Sequence, residues 1–210
     1  MDESSRDQNI KSIIRLEDRV GQCSRCLSLT MCTSRPSRGK GDLEPQVFLV
    51  FECENSFTRD TNWLIELRNK IKQEFNIERV YHTFMVRCHP KACSNRQSYS
   101  CIIPGKMLGR DNICKLSRDI CDGIPIKPSG EVIINCLTYL LEEMDILKPS
   151  YVVLFGKKVR DYVLKSCGGF EALQTGQPYE YKDMVFLSTV EETSLNEEEV
   201  QNLGRIIAKS

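Results

Sequence analysis

Hydrophobic residues along this chain alternate between short strand-like runs and helical spacing. Apolar runs of strand length, together with two shorter alternating segments, predict five β-strands at residues 47–51, 80–86, 151–155, 179–181 and 184–189. Apolar residues at helical spacing predict helices at 9–20, 63–75, 131–144, 157–165 and 195–209. Because strands that alternate with helices form a parallel sheet covered on both faces, the pattern predicts an α/β fold.

The regular pattern is interrupted between residues 89 and 130. This segment has little periodicity, several glycines and prolines, and four cysteines at positions 93, 101, 114 and 121. A structureless stretch of about 40 residues is unusual inside a compact domain. We therefore predict a single domain over residues 1–210 that carries an insertion at 89–130. The insertion cysteines are either free thiols or the ligands of a second metal site.

Composition and charge limit the classes of protein to consider. A hydrophobic content of 40% excludes a disordered chain. No apolar run approaches the roughly 18 residues that a membrane span needs, and the polar start lacks a signal-peptide core, so we expect a cytoplasmic protein with no membrane partner. Equal numbers of basic and acidic residues, 29 of each, argue against a generally basic surface but allow a local basic groove.

The cysteines need a separate explanation because the chain has 11 of them. Disulfides are rare in the cytosol, and an odd number cannot pair completely within one chain, so metal ligation is an economical role for some. Cys23 and Cys26 form a CxxC motif that fits zinc, an iron–sulfur cluster or a redox pair. The motif follows a predicted helix rather than a strand, which disfavours the redox pair. Cys88 and Cys136 are candidates for two further ligands.

A set of motifs runs in a fixed order along residues 10–208. It comprises Cys23-Ser-Arg-Cys26-Leu27, Gly39-Lys40-Gly41, Glu52 after the first strand, Arg87-Cys88-His89-Pro90, Pro128 with Glu131, Cys136-Leu137-Thr138-Tyr139-Leu140, and Pro149 followed by a strand that ends in Phe155-Gly156. This ordered set resembles the iron–sulfur type of the uracil-DNA glycosylase superfamily.

The resemblance implies a fold, a cofactor and an activity. The fold is a three-layer sandwich with a central, mostly parallel four-stranded sheet. The cofactor is a 4Fe-4S cluster ligated by Cys23, Cys26, Cys88 and Cys136. The activity is that of a DNA glycosylase, which flips a base out of DNA and hydrolyses its N-glycosidic bond to leave an abasic site. We expect a monomer whose partner is DNA.

The catalytic motifs of the family are only partly present. Glu52 occupies the position of a family glutamate, but Phe84 stands where the family has an asparagine that reads uracil. Glu191 lies near the position of a family histidine that stabilises the departing base. We therefore expect the excised base to differ from plain uracil and to be a modified pyrimidine in foreign, phage DNA. The alternatives are a catalytically inactive iron–sulfur module that binds DNA or protein, and a redox-sensing iron–sulfur protein.

The candidate site residues follow from these comparisons. The predicted catalytic residues are Glu52, Asp60 and Glu191, and the predicted base-binding residues are Cys53, Asn55 and Phe84. The predicted DNA-binding residues are Arg38, Lys40, His89, Lys91, Arg96, Ser188 and Thr189. Simpler roles compete with these predictions: Glu52 as an exposed loop acid, Asp60 as a helix cap, Phe84 as a core residue, Glu191 as part of an acidic run before a helix, and the basic residues as solvated loop charges.

Overall fold

The structure is a computed structural model that describes residues 3–26, 36–88, 91–92, 113, 118–119, 124–125, 127–175 and 177–208. Most of the predicted insertion lies outside these residues, including its four cysteines and the predicted DNA-binding residues His89 and Arg96. Residues 91–92 and 124–125 are described by their backbone alone. The prediction of a second metal site in the insertion therefore concerns residues outside the described part of the chain.

The structure describes eight strands, and six of them form one sheet with a parallel core. The strands in chain order are β1 (Lys40–Gly41), β2 (Val47–Cys53), β3 (Val80–Val86), β4 (Lys91–Ala92), β5 (Ile124–Pro125), β6 (Tyr151–Phe155), β7 (Tyr179–Tyr181) and β8 (Met184–Thr189). The main sheet has the order β1-β3-β2-β6-β8-β7, in which the four central strands are parallel and the two outer ones are antiparallel. β4 and β5 form a separate antiparallel pair. The predicted parallel four-stranded core is confirmed, and two short edge strands extend it.

Helices cover both faces of the sheet. They are α1 (Glu3–Gly21), α2 (Ser56–Arg59), α3 (Thr61–Phe75), α4 (Gly130–Leu147), α5 (Lys157–Ser166), α6 (Phe170–Thr175) and α7 (Glu197–Ile207), with a 3-10 helix at Glu192–Ser194. α1, α4, α5 and α6 contribute to the hydrophobic core on one face, and α3 and α7 to the core on the other. This is the predicted three-layer arrangement. No described helix has the length and apolarity to cross a membrane.

The central strand β2 supplies side chains to both cores. Phe48 and Val50 face the layer of α1 and α4, whereas Val47, Leu49 and Phe51 face the layer of α3 and α7. All five are completely buried. Because side chains alternate along a strand, a strand covered on both sides is apolar at every position, and this accounts for the continuous apolar run in the sequence.

A buried charged network joins α4 to β3. The carboxylate of Glu143 pairs with the guanidinium of Arg87, and it accepts hydrogen bonds from the hydroxyls of Tyr81 and Thr83, each at 2.8 Å. Glu143 is 1% exposed and Arg87 is 3% exposed. Gly39 lies against this network, since a Cβ atom there would stand 2.3 Å from the Tyr81 hydroxyl. The network fixes α4 on the sheet beside Cys136 and Cys88.

Candidate functional site

The carboxyl ends of β2, β6 and β8 meet at one edge of the sheet because the three strands are parallel neighbours. In an open α/β sheet this edge is where ligands bind. β2 delivers Glu52 and Cys53 there, β6 delivers Gly156, and β8 ends at Thr189. Four of the predicted site residues, Glu52, Cys53, Ser188 and Thr189, are therefore brought to the same edge.

Glu52 is held by a lysine from α5, the helix that follows β6. The Lys158 ammonium, in the first turn of α5, donates a hydrogen bond of 2.8 Å to Glu52 Oε1 and another of 2.7 Å to the carbonyl of Pro128. The Glu52 side chain is 16% exposed and that of Lys158 is 33% exposed. Glu52 Oε2 accepts no hydrogen bond from the residues that the structure describes.

A second carboxyl group, that of Glu192, lies beside Glu52. It is buried in the 3-10 helix and accepts a hydrogen bond from the Asn55 side-chain amide. Burial raises the pKa of Glu192, and the charges of Glu191 and Glu52 add to the rise, whereas the hydrogen bonds to the carboxyl oppose it. The site thus pairs an ion-paired carboxylate with a carboxyl group that gains a proton more readily than an ordinary glutamate.

Asn55 positions Glu192 and caps α2. Its Oδ1 accepts from the backbone amides of Phe57 and Thr58, and its backbone N–H donates to the Thr58 hydroxyl, which completes a capping box. Its amide nitrogen is committed to Glu192. The polar groups of Asn55 therefore organise the loop after β2, and the predicted contact with a base would have to compete with these bonds.

Cys53 is half-buried near the carboxyl groups of Glu52 and Glu192. Burial raises the pKa of its thiol to about 12, with further contributions from Glu52 and Glu192, while Lys158 opposes the rise. The side chain is consequently a neutral thiol at physiological pH. A neutral thiol is a poor nucleophile, so Cys53 is suited to lining the site rather than to covalent catalysis.

Glu191 differs from its neighbour in exposure. Its side chain is 50% exposed and accepts from the Lys127 ammonium at 3.4 Å. It lies against Gly156, where a Cβ atom would stand 2.7 Å from Glu191 Cγ. The Gly156 amide in turn donates to the Thr189 carbonyl at 3.0 Å. Glu191 thus borders the site, whereas Glu192 enters it.

Two predicted site residues, Asp60 and Phe84, occupy structural positions in the fold. Asp60 is exposed and is the N-cap of α3, where its carboxylate accepts from the amides of Asn62 at 2.9 Å and Trp63 at 3.3 Å. Phe84 is 2% exposed within β3, and its ring packs against Phe51 with centroids 6.2 Å apart. These positions correspond to the simpler roles considered for both residues, a helix cap and a core side chain.

The predicted DNA contacts are distributed over separate parts of the surface. Arg38 and Lys40 are exposed near the β1 edge of the sheet, and Arg38 pairs with Glu17 at 3.3 Å. Lys40 pairs in register with His82 of β3, away from the carboxyl ends of the strands. Lys91 begins β4, for which the structure describes the backbone alone. Thus only Ser188 and Thr189 of the described DNA-binding candidates lie at the edge that carries Glu52.

The four cysteines predicted as ligands line one small cavity. Cys23 and Cys26 follow α1, Cys88 follows β3, and Cys136 lies on α4; the same cavity is lined by Arg25 and Asn135. Among the described residues, no three side chains of the metal-binding types converge as they would around a single metal ion. The fold nevertheless gathers four thiols from three separate segments at one place.

N–H donors contact two of these four sulfur atoms. The backbone amide of Arg87 donates to Cys136 Sγ at 3.2 Å, and the side-chain amide of Asn135 donates to Cys26 Sγ at 3.6 Å. Burial raises the pKa of the Cys136 thiol, and the amide and charge of Arg87 oppose that rise. Arg25 anchors the CxxC segment to α4 through the Thr138 hydroxyl at 2.6 Å. Such donors stabilise ligated thiolates.

Sequence reasoning missed two residues of this site, Lys158 and the buried position of Glu192. Lys158 follows the strand that ends at Phe155, so the rule that parallel strands end at one edge could have placed it beside Glu52. Glu192 was visible only as part of an acidic run. Which of two adjacent acids faces inward depends on the turn of the 3-10 helix, and the sequence carries no periodic signal for it.

Comparison with known proteins gives one match and one negative result. A scan against protein-family models matches residues 43–197 to the Uracil DNA glycosylase superfamily. The matched range begins just before β2 and extends to the start of α7, so it includes Glu52, Lys158 and Glu192. A search of curated proteins found no match to the sequence.

Proposed function

Because the chain belongs to the uracil DNA glycosylase superfamily, whose members are DNA glycosylases, we propose that it excises a modified base from DNA. The observation that carries this proposal is the pairing of Glu52 with Lys158 at the carboxyl edge of the sheet, beside the buried Glu192. This places two carboxyl groups with different environments at the position where the fold binds ligands.

The two carboxyl groups fit the two demands of glycosidic hydrolysis. The transition state resembles an oxocarbenium ion, which an ionised carboxylate stabilises while it orients the attacking water. Glu52 suits this role because its ion pair with the Lys158 ammonium, at 2.8 Å, holds the carboxylate at the carboxyl edge of the sheet. The departing base needs a proton or a hydrogen-bond donor, and a buried carboxyl group with a raised pKa supplies one. We assign this role to Glu192 rather than to the exposed Glu191.

The same residues favour a base other than uracil. Phe84 is an apolar core residue and offers no amide to read the uracil edge. Carboxyl oxygens of Glu52 and Glu192 accept hydrogen bonds from amino or hydroxyl groups, which a hydroxylated or aminated pyrimidine carries. Bases of this kind occur in foreign DNA such as that of phages, and removal of such a base is the role we propose.

Abasic-site formation tests the activity. Oligonucleotides that contain uracil, 5-hydroxymethyluracil, 5-hydroxymethylcytosine or cytosine are incubated with the protein in single and double strands, and abasic sites are counted with an aldehyde-reactive probe. We expect abasic sites at a modified base and a loss of about 100-fold or more in Glu52→Gln. Glu54→Gln is the matched control, since Glu54 lies in the same loop and pairs with Arg59. Full activity of Glu52→Gln, or no product on any substrate, contradicts the proposal and favours a catalytically silent module.

We also propose that Cys23, Cys26, Cys88 and Cys136 hold a 4Fe-4S cluster with a structural role. The supporting observations are the shared cavity and the N–H donors aimed at two of the sulfurs. Four thiolates that line one cavity are the ligand set that such a cluster would take. When bound, the cluster supplies a rigid cross-link between α1, β3 and α4.

Iron and sulfide analysis tests the cluster independently of activity. We expect about four irons and four sulfides per chain after anaerobic purification, with visible thiolate–iron absorption. Cys136→Ser is expected to lose both. Cys167→Ser is the control, because Cys167 is buried between α5 and α6 and does not line the cavity. A colourless protein that contains stoichiometric zinc contradicts the proposal.

A further inference from the structure

Two adjacent lysines at the start of α5 have different surroundings. Lys157 is 78% exposed and pairs with Asp161 on its own helix. Lys158 turns toward the sheet, is 33% exposed, and bonds to Glu52 and to the Pro128 carbonyl. The primary amine of Lys158 therefore lies beside the carboxylate to which we assign the catalytic role.

The position of Lys158 gives its amine access to the sugar. This step rests on the proposed function, in which Glu52 stands next to the anomeric carbon of the flipped nucleotide. Lys158 Nζ is 2.8 Å from Glu52 Oε1. A sugar carbon in contact with Glu52 therefore lies within the reach of the lysine side chain, which has four rotatable methylene groups. After the base has left, that carbon is an aldehyde in equilibrium with its closed form, and aldehydes react with amines.

The surroundings also provide a way to deprotonate the amine. Lys158 lies in the first turn of the ten-residue helix α5, and its amine contacts the Glu52 carboxylate. Glu52, at hydrogen-bond distance, is a base that can take the ammonium proton when the abasic sugar binds. Glu192 is a second carboxyl group in the same site for a later proton transfer. The arrangement thus has a nucleophile and two groups that can accept or return protons.

We propose that Lys158 gives the protein a second activity, cleavage of DNA at abasic sites through a Schiff base. The amine adds to C1′ of the ring-opened abasic sugar, and loss of water leaves a protonated imine. A carboxylate removes a proton from C2′, and the electron pair expels the 3′ phosphate as the C3′–O bond breaks. Water then hydrolyses the imine, which frees Lys158 and leaves an unsaturated aldehyde on one fragment. No oxidant, reductant or metal is consumed.

Preformed abasic DNA tests this activity without any need for base excision. An oligonucleotide with one abasic site, prepared with a separate uracil glycosylase, is incubated with the full-length protein, and strand cleavage is followed on a denaturing gel. Sodium borohydride reduces the imine to a stable amine, so a parallel reaction traps the covalent complex. Peptide mapping of the complex identifies the residue whose amine formed the imine, and so distinguishes Lys158 from the amino terminus.

Three variants decide the role of Lys158. Lys158→Arg retains a cation beside Glu52 but cannot form the imine, and we expect its cleavage and trapping to fall to the level of the reaction without protein. Lys158→Ala is expected to give the same result. Lys157→Ala is the matched control, and its cleavage and trapping are expected to equal those of the wild type. Absence of trapping with the wild type, or trapping that persists in Lys158→Arg, overturns the proposal.

The two proposals can fail separately. Cleavage of preformed abasic DNA without release of any base supports the second activity and contradicts the glycosylase. Base release without cleavage or trapping supports the glycosylase and leaves Lys158 as a residue that positions Glu52.

Discussion

The buried network around Glu143 makes the strongest prediction about stability. Glu143→Gln is expected to lower the free energy of unfolding by about 3–5 kcal/mol, the cost of breaking a buried ion pair by removing one partner. Glutamine keeps the shape of the side chain but leaves the Arg87 guanidinium buried without an anion. It also replaces one carboxylate oxygen by an NH₂ donor, which cannot accept from Tyr81 or Thr83.

The neighbouring residue provides a matched control. Glu142 is 41% exposed and pairs with Arg19, which is 54% exposed, so Glu142→Gln should cost at most about 1 kcal/mol. Urea unfolding followed by far-UV circular dichroism measures both variants at equal protein concentration. For a chain of this size the loss in Glu143→Gln corresponds to a decrease in Tm of roughly 6–20 °C.

A double variant separates the charge from the contacts. In Arg87→Met/Glu143→Leu neither charge is buried, so part of the lost stability should return relative to Glu143→Gln. Equal small losses in Glu142→Gln and Glu143→Gln would show that the buried pair is not held as described. A double variant less stable than Glu143→Gln would show that the hydrogen bonds, and not the unpaired charge, dominate.

Further predictions concern pH and backbone conformation. Burial, together with the charges of Arg68 and Lys40, lowers the pKa of His82 to about 4 from 6.5, so stability should be lost as pH falls through this range. His82→Leu should flatten the dependence of the free energy of unfolding on pH in this range, as measured by urea unfolding at a series of pH values. Because the pKa of Glu192 is raised, its contribution to stability is present below the ordinary value of 4.5 and is lost as pH rises through the folded-state value. Glu192→Gln should abolish this decrease in stability. A pH profile of stability that is unchanged in this variant refutes the prediction. Gly156→Ala should cost about 1–2 kcal/mol, since φ is +85° and the new Cβ meets Glu191, whereas Gly21→Ala, with open space around it, should shift Tm little.

Most of the sheet could be predicted from the sequence because its central strands are largely buried and its edge strand at 179–181 alternates in exposure. The strands at 80–86, 151–155, 179–181 and 184–189 begin and end where the pattern predicts. The edge strand Lys40–Gly41 could not be predicted, since two exposed residues carry no period and their pairing with β3 is set by tertiary structure. The short helices α2 and α6 are likewise too short for helical spacing to emerge.

The site could be predicted in part, for a similar reason. Glu52 was predictable because it directly follows the strand predicted at 47–51 and lies at the end of β2, and strand ends converge in a parallel sheet. The roles of Asp60 and Phe84 were open in the sequence because a helix cap and a catalytic acid, or a core ring and a stacking ring, are the same residue types. Lys158 and Glu192 acquire their environments from contacts with residues more than a hundred positions away, Glu52 and Asn55.

The pairing of β2 with β6 also bears on how the predicted insertion affects folding. Val47 pairs with Tyr151, roughly a hundred positions later, so the sheet core closes a long loop that contains residues 89–130. The entropy of closing a flexible loop grows with the logarithm of its length, and removal of about 40 residues from this one changes it by only about 0.4 kcal/mol. A change in the length of this segment therefore alters the chain entropy of forming the sheet very little, so long as Lys127 and Pro128 keep their contacts with Glu191 and Lys158.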